Sequence, residues 1–431
     1  PISDFAFSEK TPVVENPGTI QTVDITPLKF NTIYYFAIKT SDGLNISQLS
    51  NIIDYSAGAP PTLMKSIWPV FQKNQQSTGF VPYGGPGFIS SESVTIRLVA
   101  ELPNPIYVSF VMDTDGILYA GGEKGLYAID SRNGELKWFY DTYNYERGWG
   151  GTSYSAVLAS DGTVYFTFYG GTYLYALTPT GKLKWKYRVG GPNDGGSNPI
   201  IGSDGTIYVS GREQGYLYAI NPDGTEKWKY LISGANVVSS PVMGSDETIY
   251  VAWRNFGFVG YVTAIDSEGN LRWQSENVNP DTYAGLSVDT NDNIYVGSNY
   301  YHVGYLRSLR PADGAENWSS APWGRINVPA NIDGNGVIYA VNESGNIFFL
   351  NPDRTLSGAI YVANQILKPI IIGVDGVIYL VSGKKIFAFY PDGTEKWSYE
   401  FTEEIMASPI IDESGTIYIS TRDGKVWAIG E

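Results

Sequence analysis

Hydrophobic and polar positions along most of this chain alternate with period two, in short runs cut by Asp-Gly or Asn-containing turns. One stretch shows the pattern fully. It reads Asn198-Pro-Ile-Ile201, turn Ser203-Asp-Gly205, Thr206-Ile-Tyr-Val209, a loop, Tyr216-Leu-Tyr-Ala-Ile220, turn Asn221-Pro-Asp-Gly224, then Glu226-Lys-Trp-Lys-Tyr230. Alternation of this kind predicts half-buried strands, and the Asp-Gly turns predict hairpins in which glycine supplies the positive φ. The same four-strand phrase returns eight times. Its tyrosines fall at Tyr119, Tyr165, Tyr208, Tyr250, Tyr295, Tyr339, Tyr379 and Tyr418, spaced 39 to 46 residues apart. A strand-rich repeat in the low forties is the signature of propeller blades.

The final strand of the phrase carries a tryptophan at Trp138, Trp185, Trp228, Trp273, Trp318 and Trp397. The sixth repeat lacks it, and its last strand reads Ala359-Ile-Tyr-Val362. The eighth repeat stops one strand short, after Val426-Trp-Ala-Ile429, while a spare strand at 94–102 precedes the first. Pairing the two closes a ring and removes both free edges. The predicted fold is all-β: an eight-bladed β-propeller of four-stranded antiparallel blades over 68–431, closed by strand 94–102.

Residues 1–57 stand outside the repeat. The run from Thr32 to Thr40 alternates like a half-buried strand, Asp42-Gly43 gives a turn, and Ile46 to Ile53 offers a second strand; 58–67 read as a Pro-containing linker. Thr26-Pro-Leu-Lys-Phe-Asn-Thr-Ile-Tyr-Tyr-Phe-Ala-Ile-Lys-Thr40 with Leu49-Ser-Asn51 resembles the last strands of a fibronectin type III domain. That resemblance implies a partial β-sandwich with Tyr34 or Tyr35 at the tyrosine corner. It also implies a chain cut from a longer polypeptide, as the start at Pro1 suggests.

The repeat itself, Asp204-Gly-Thr-Ile-Tyr-Val209 … Leu217-Tyr-Ala-Ile220 … Gly224-Thr-Glu-Lys-Trp228, is similar to the PQQ-like (quinoprotein alcohol dehydrogenase-like) repeat. Trp68-Pro-Val-Phe71 … Gln76-Ser-Thr-Gly79 looks like the lead-in of extracytoplasmic bacterial members. The family holds quinone-dependent dehydrogenases, a scaffold lipoprotein of outer-membrane β-barrel assembly, and cofactor-free surface proteins, so the fold does not carry the activity. Active members use a Ca²⁺-liganding Glu/Asn/Asp set and an Asp base. The channel-facing strand starts here offer Ser, Pro, Val, Ala and Ile, with Asn198 and Asn331 as exceptions and no carboxylate beside them. PQQ and Ca²⁺ are therefore disfavoured as cofactors, and no catalytic or metal-ligating residue is assigned.

Bulk properties remove further classes. With 44 acidic and 29 basic side chains among 431 residues, the net charge is −15. That repels nucleic acid and anionic membrane surfaces. There is no cysteine, and a single histidine, His302, precludes a multi-His metal centre. No run of about 18 apolar residues is present to span a bilayer. The runs Asp113-Thr-Asp-Gly116 and Asp289-Thr-Asn-Asp-Asn293 hint at Ca²⁺ loops, but Ile294 and Tyr300 stand where an EF-hand needs Gly and Glu, and both runs align with hairpin turns.

Long insertions concentrate in repeats 1 to 6, in connections expected to open on one face. They carry aromatic rings interleaved with arginines: Tyr143, Tyr145, Arg147, Trp149, Tyr169, Arg212, Trp253, Arg254, Phe256, Tyr283, Tyr300, Tyr301, His302, Trp323 and Arg325. Flat faces with fork-like donors suit a glycan or a protein hot spot, and equally the packing of loops onto blade tops. The expectation is a non-enzymatic, extracellular or cell-surface binding or scaffold protein (periplasmic in the alternative location), with self-association through the partial fibronectin domain. The alternative is a quinone-dependent dehydrogenase or a polysaccharide-active enzyme on the same ring.

Overall fold

The computed structural model describes residues 32–36 and 53–57 as backbone. From residue 74 it describes 74, 77, 79–88, 90–142, 154–168, 171, 173–191, 195–211, 215–232, 237–255, 259–280, 285–300, 303–326, 328–362, 366 and 368–430. The chain divides into two compact units, Pro1–Ala59 and Pro60–Glu431.

In the first unit, Thr32–Phe36 pairs antiparallel with Ile53–Ala57, setting Tyr34 across from Tyr55. The second strand thus begins where the sequence reading ended it. Residues 46–52, and most of the fibronectin-like stretch, lie outside the described residues.

The second unit is an eight-bladed propeller. In blade 3, Ile200–Ile201, Ile207–Ser210, Tyr216–Ile220 and Glu226–Leu231 pair in sequence order, and the same order recurs in blades 1 to 7. Blade 4 gains a short fifth strand, Val237–Val238, bonded to Trp253 and Arg254. Blade 8 is built from both chain ends: Ile96–Glu101 lies beside Lys425–Ile429 as its outer strand. The expected closure is present, with the closing strand slightly shorter than 94–102. Among the described residues the only helix is one 3₁₀ turn, Ser91–Ser93, so no helix is long and apolar enough to cross a membrane.

Blades are buttoned together by the tryptophans. The Trp138 indole N–H donates to the Pro179 carbonyl of the next blade at 2.9 Å, Trp185 to Pro222 at 2.9 Å, Trp228 to Ser267 at 2.8 Å and Trp273 to Pro311 at 2.7 Å. Each ring also lies against the tyrosine of its own blade, as Tyr165 and Trp185 do at 5.6 Å. The receiving turn must be bare. A side chain on Gly181, itself at φ +78°, would run into the Trp138 ring.

Two blades reach this end by other residues. In blade 6, Leu356–Tyr361 is the outer strand, starting earlier than the sequence suggested, and Gly358 occupies the tryptophan position. Its partner Phe349 replaces the usual alanine and packs on Tyr339 at 5.2 Å, so the ring comes from the neighbouring strand. In blade 8, Arg97 stands across from Ala428, and its guanidinium donates to the Ser131 and Arg132 carbonyls of blade 1 at 3.0 and 3.4 Å.

The lead-in, which carries no repeat, is not a free tether. Phe80 bridges Ile372 in parallel; Val81 N–H donates to the Ile372 carbonyl and Ile372 N–H to that of Gly79. The other edge of Ile371–Ile372 already pairs within blade 7, so residues 79–81 run along its channel edge. The strap continues outward past the strand turns of blades 7 and 8. Val81 is fully buried, and Phe88 meets Trp397 edge-on at 5.7 Å. A side chain at Gly85 would collide with the Tyr379 ring.

Candidate functional site

The connections between blades and those between second and third strands share one face. Isolated bridges join Ile106 to Gly122, Pro280 to Ser298, Ile326 to Asn342 and Ile405 to Thr421, each linking a blade-to-blade segment with the hairpin beside it. On this face the hairpins of blades 4 and 5 are longest. Ile249–Arg254 with Gly260–Ile265, and Ile294–Tyr300 with Val303–Leu309, have strands of six and seven residues, against four or five in blade 3.

Between the blade 5 hairpin and the connection from blade 4 lies a cleft of about 350 Å³, lined by Asn277, Val278, Asn279, Ser298, Tyr305 and Arg307. Its origin is legible in the repeat. Arg307 occupies the third-strand position filled by Tyr127, Tyr175, Tyr218, Phe348, Phe387 or Trp427 in other blades. Where blade 5 meets blade 6, Trp323 stacks flat on Phe348, centroids 4.3 Å apart and planes 7° from parallel. In blade 4 the position is Thr263, roofed by Trp253, whose indole donates to its hydroxyl at 2.8 Å. At Arg307 neither filling exists.

The cleft is polar and electrically balanced. Arg307 forms an ion pair with Glu316, reaches the Ser298 hydroxyl at 3.4 Å, and lies 5.4 Å over the Tyr305 ring. The Asn277 side-chain oxygen accepts the Gly260 and Asn279 N–H groups. Asn279 is held at φ +46°, and its buried side-chain oxygen has no partner among the described residues.

Of the fifteen residues singled out in the sequence, Tyr143, Tyr145, Arg147, Trp149, Tyr169, Arg212, Phe256, Tyr283, Tyr301 and His302 lie outside the described residues, and Tyr300 is described only as the end of its strand. Trp253 is buried and stacks on Tyr261 at 4.9 Å, so its place is in the packing of blade 4. Arg254 ends that blade's second strand. Trp323 and Arg325 remain half-buried on the face, Arg325 with its guanidinium 3.9 Å from Glu343. Tyr305 and Arg307 were absent from the sequence-based set because they sit inside a strand, not a loop. The arginine in an otherwise aromatic column was the available signal.

Asn198 and Asn331, the two exceptions at the channel-facing strand starts, are engaged between blades. Ser155 donates to the Ser109 carbonyl at 3.1 Å, Asn198 accepts the Ser155 N–H at 2.8 Å and contacts the Ser240 hydroxyl, and Asn331 donates to the Ile370 carbonyl at 2.8 Å. Among the described residues no three His, Asp or Glu gather where they could hold a metal. Asp289 is a turn residue: its carboxylate accepts the Asn291 and Asn293 N–H groups and the Tyr295 hydroxyl. Lys368, in the connection from blade 6 to blade 7, is held below the usual lysine range by burial, which Glu404 opposes, and it forms no ion pair among the described residues.

Comparison with known proteins agrees with this picture of the fold. Residues 122–275 match the family model described as outer membrane protein assembly factor BamB. No curated protein matches the sequence. Among solved structures, the quinohemoprotein alcohol dehydrogenase of Comamonas testosteroni is 13% identical at a TM-score of 0.64, covering 86% of this chain and 81% of that one. A europium-containing methanol dehydrogenase is 12% identical at 0.64, covering 84% and 90%. The C-terminal WD40 domain of Sif2 is 14% identical at 0.60, covering 80% and 99%. At such identities these neighbours speak for architecture alone. With its eight repeats in register and its last blade completed by the strand before the first, the chain is an eight-bladed β-propeller, similar over residues 122–275 to the PQQ-like repeat family.

Proposed function

We propose that the chain is a non-enzymatic binding or scaffold protein working outside the cytoplasm, at the cell surface or in the periplasm, with the long-hairpin face as its contact surface for glycan or protein. The observation that supports this most is the asymmetry of that face. An eightfold-repeated scaffold has raised two adjacent hairpins, over blades 4 and 5, where the blade connections also converge. Functional residues concentrate in such departures from a rigid repeat. The dehydrogenase reading is not favoured, because among the described residues no group of acidic side chains gathers that could cage Ca²⁺.

The test is binding of purified protein to a glycan array and to envelope-protein fractions, compared with Trp323→Ala and Arg325→Ala. Saturable binding weakened about tenfold by either substitution is expected. Dye-linked oxidation of alcohols or sugars that depends on added quinone would overturn the reading. Self-association through residues 1–57 is part of the same proposal, and predicts that removing them abolishes any oligomer seen by sedimentation.

A further inference from the structure

We propose that the cleft between blades 4 and 5 holds one neutral pyranose ring of a glycan. This rests on the contact-surface reading above and narrows it to a ligand class and a location.

Three observations lead there. First, the cleft is a departure from the repeat: arginine replaces the aromatic side chain that occupies this column in blades 1, 2, 3, 6, 7 and 8, and the space is left open. Its volume of about 350 Å³ sits at the low end for small-molecule sites, the scale of a single ring. Second, apart from Arg307 the polar lining is a set of neutral donors and acceptors beside an aromatic residue. Asn279 lines the cleft at φ +46°, and its buried side-chain oxygen has no partner among the described residues. An unsatisfied buried amide is costly unless something supplies a hydrogen bond, and a sugar hydroxyl does so as donor and acceptor together. Ser298, Asn277 and the Tyr305 ring complete the set.

Third, charge decides between sugar types. Arg307 is already neutralised by Glu316, so it offers N–H groups but no uncompensated positive charge. The chain as a whole carries −15. A uronate or sialic acid would meet repulsion that a hexose or its glycoside does not.

The experiment is titration of methyl hexopyranosides and of glucuronic acid, by saturation-transfer NMR and calorimetry, into wild-type protein, Arg307→Tyr and Asn279→Gly. Arg307→Tyr restores the aromatic residue of the other blades and closes the cleft. Wild-type protein is expected to bind at least one neutral glycoside, and Arg307→Tyr to bind it at least about tenfold more weakly. Asn279→Gly is expected to weaken binding while leaving the thermal midpoint unchanged or higher, and it decides the matter if Arg307→Tyr fails to fold. Glucuronic acid binding as well as the neutral sugars, or no neutral sugar bound by the wild type, overturns the proposal. So does sugar binding that both variants leave unchanged; that last result puts the sugar elsewhere and leaves the contact surface standing.

Discussion

Phe349 of blade 6 stands across from Gly358 in the register that sets Ala219 across from Trp228, Ala264 across from Trp273 and Ala388 across from Trp397. Large and small have changed strands, and the volume between the blades is kept. Phe349→Ala should therefore cost about 3–5 kcal/mol, and Gly358→Trp alone about 1–3 kcal/mol by overpacking. The double variant Phe349→Ala/Gly358→Trp should be more stable than the sum of the two predicts. Urea denaturation of the four proteins measures the coupling, and simple additivity would show that the two residues do not share one space.

Arg97 does for the last junction what tryptophan does elsewhere, since its donors meet the Ser131 and Arg132 carbonyls. Arg97→Ala should lower stability by about 1–2 kcal/mol. Amide exchange should accelerate first in 96–101 and 425–429. Equal acceleration in all blades would contradict a local role.

Trp397 is the one fully buried tryptophan among the described residues, yet its indole N–H finds no partner there. In blades 2 to 5 the acceptor for the preceding blade's tryptophan is a carbonyl in the turn between third and outer strands. In blade 8 those strands are Lys425–Ile429 and Ile96–Glu101, which no turn joins. Trp397→Phe should thus cost packing alone, whereas Trp138→Phe should also lose a hydrogen bond worth about 1 kcal/mol. Thermal midpoints of the two variants provide the comparison.

Asp130, buried in blade 1, accepts two bonds from Arg132, at 2.8 and 2.7 Å, with Lys137 at 3.5 Å. The Arg132 hydrogen bonds outweigh burial and hold its carboxyl well below the usual range. The folded state binds this proton more weakly than the unfolded chain. The stabilisation is therefore complete above the ordinary Asp range near pH 4, and is lost as the pH falls through the window below it. Asp130→Asn should be less stable at pH 7 and show a shallower loss of thermal midpoint between pH 4 and pH 2. Parallel acid limbs for variant and wild type would refute the assignment.

The ring was legible in the sequence because each blade repeats the same hairpin chemistry, and the missing strand after Ile429 pointed back to a spare one near residue 96. The blade 6 exchange was half visible. A tryptophan was seen to be absent, but only the cross-strand register shows that Phe349 supplies the ring. The strap had no repeat to announce it: Phe80 and Val81 fell in an unrepeated lead-in, and their partner Ile372 lies far along the chain. The cleft was hidden for a related reason, since Arg307 and Tyr305 fit a strand pattern whose interest lies only in comparison with the same column elsewhere.

The strap and closing strand also set the order in which this ring can form. Thr95 and Gly430 are bonded across 335 residues, and Ser91 reaches Ser398 across 307. The strap segment therefore waits until more than three hundred further residues are made before its partners exist. Blades 1 to 6 can assemble in turn as they are made, while residues 79–101 stay unpaired with their edge open. Sealing waits on residues 425–430, and a chain stopped before them leaves the edge of 96–101 open.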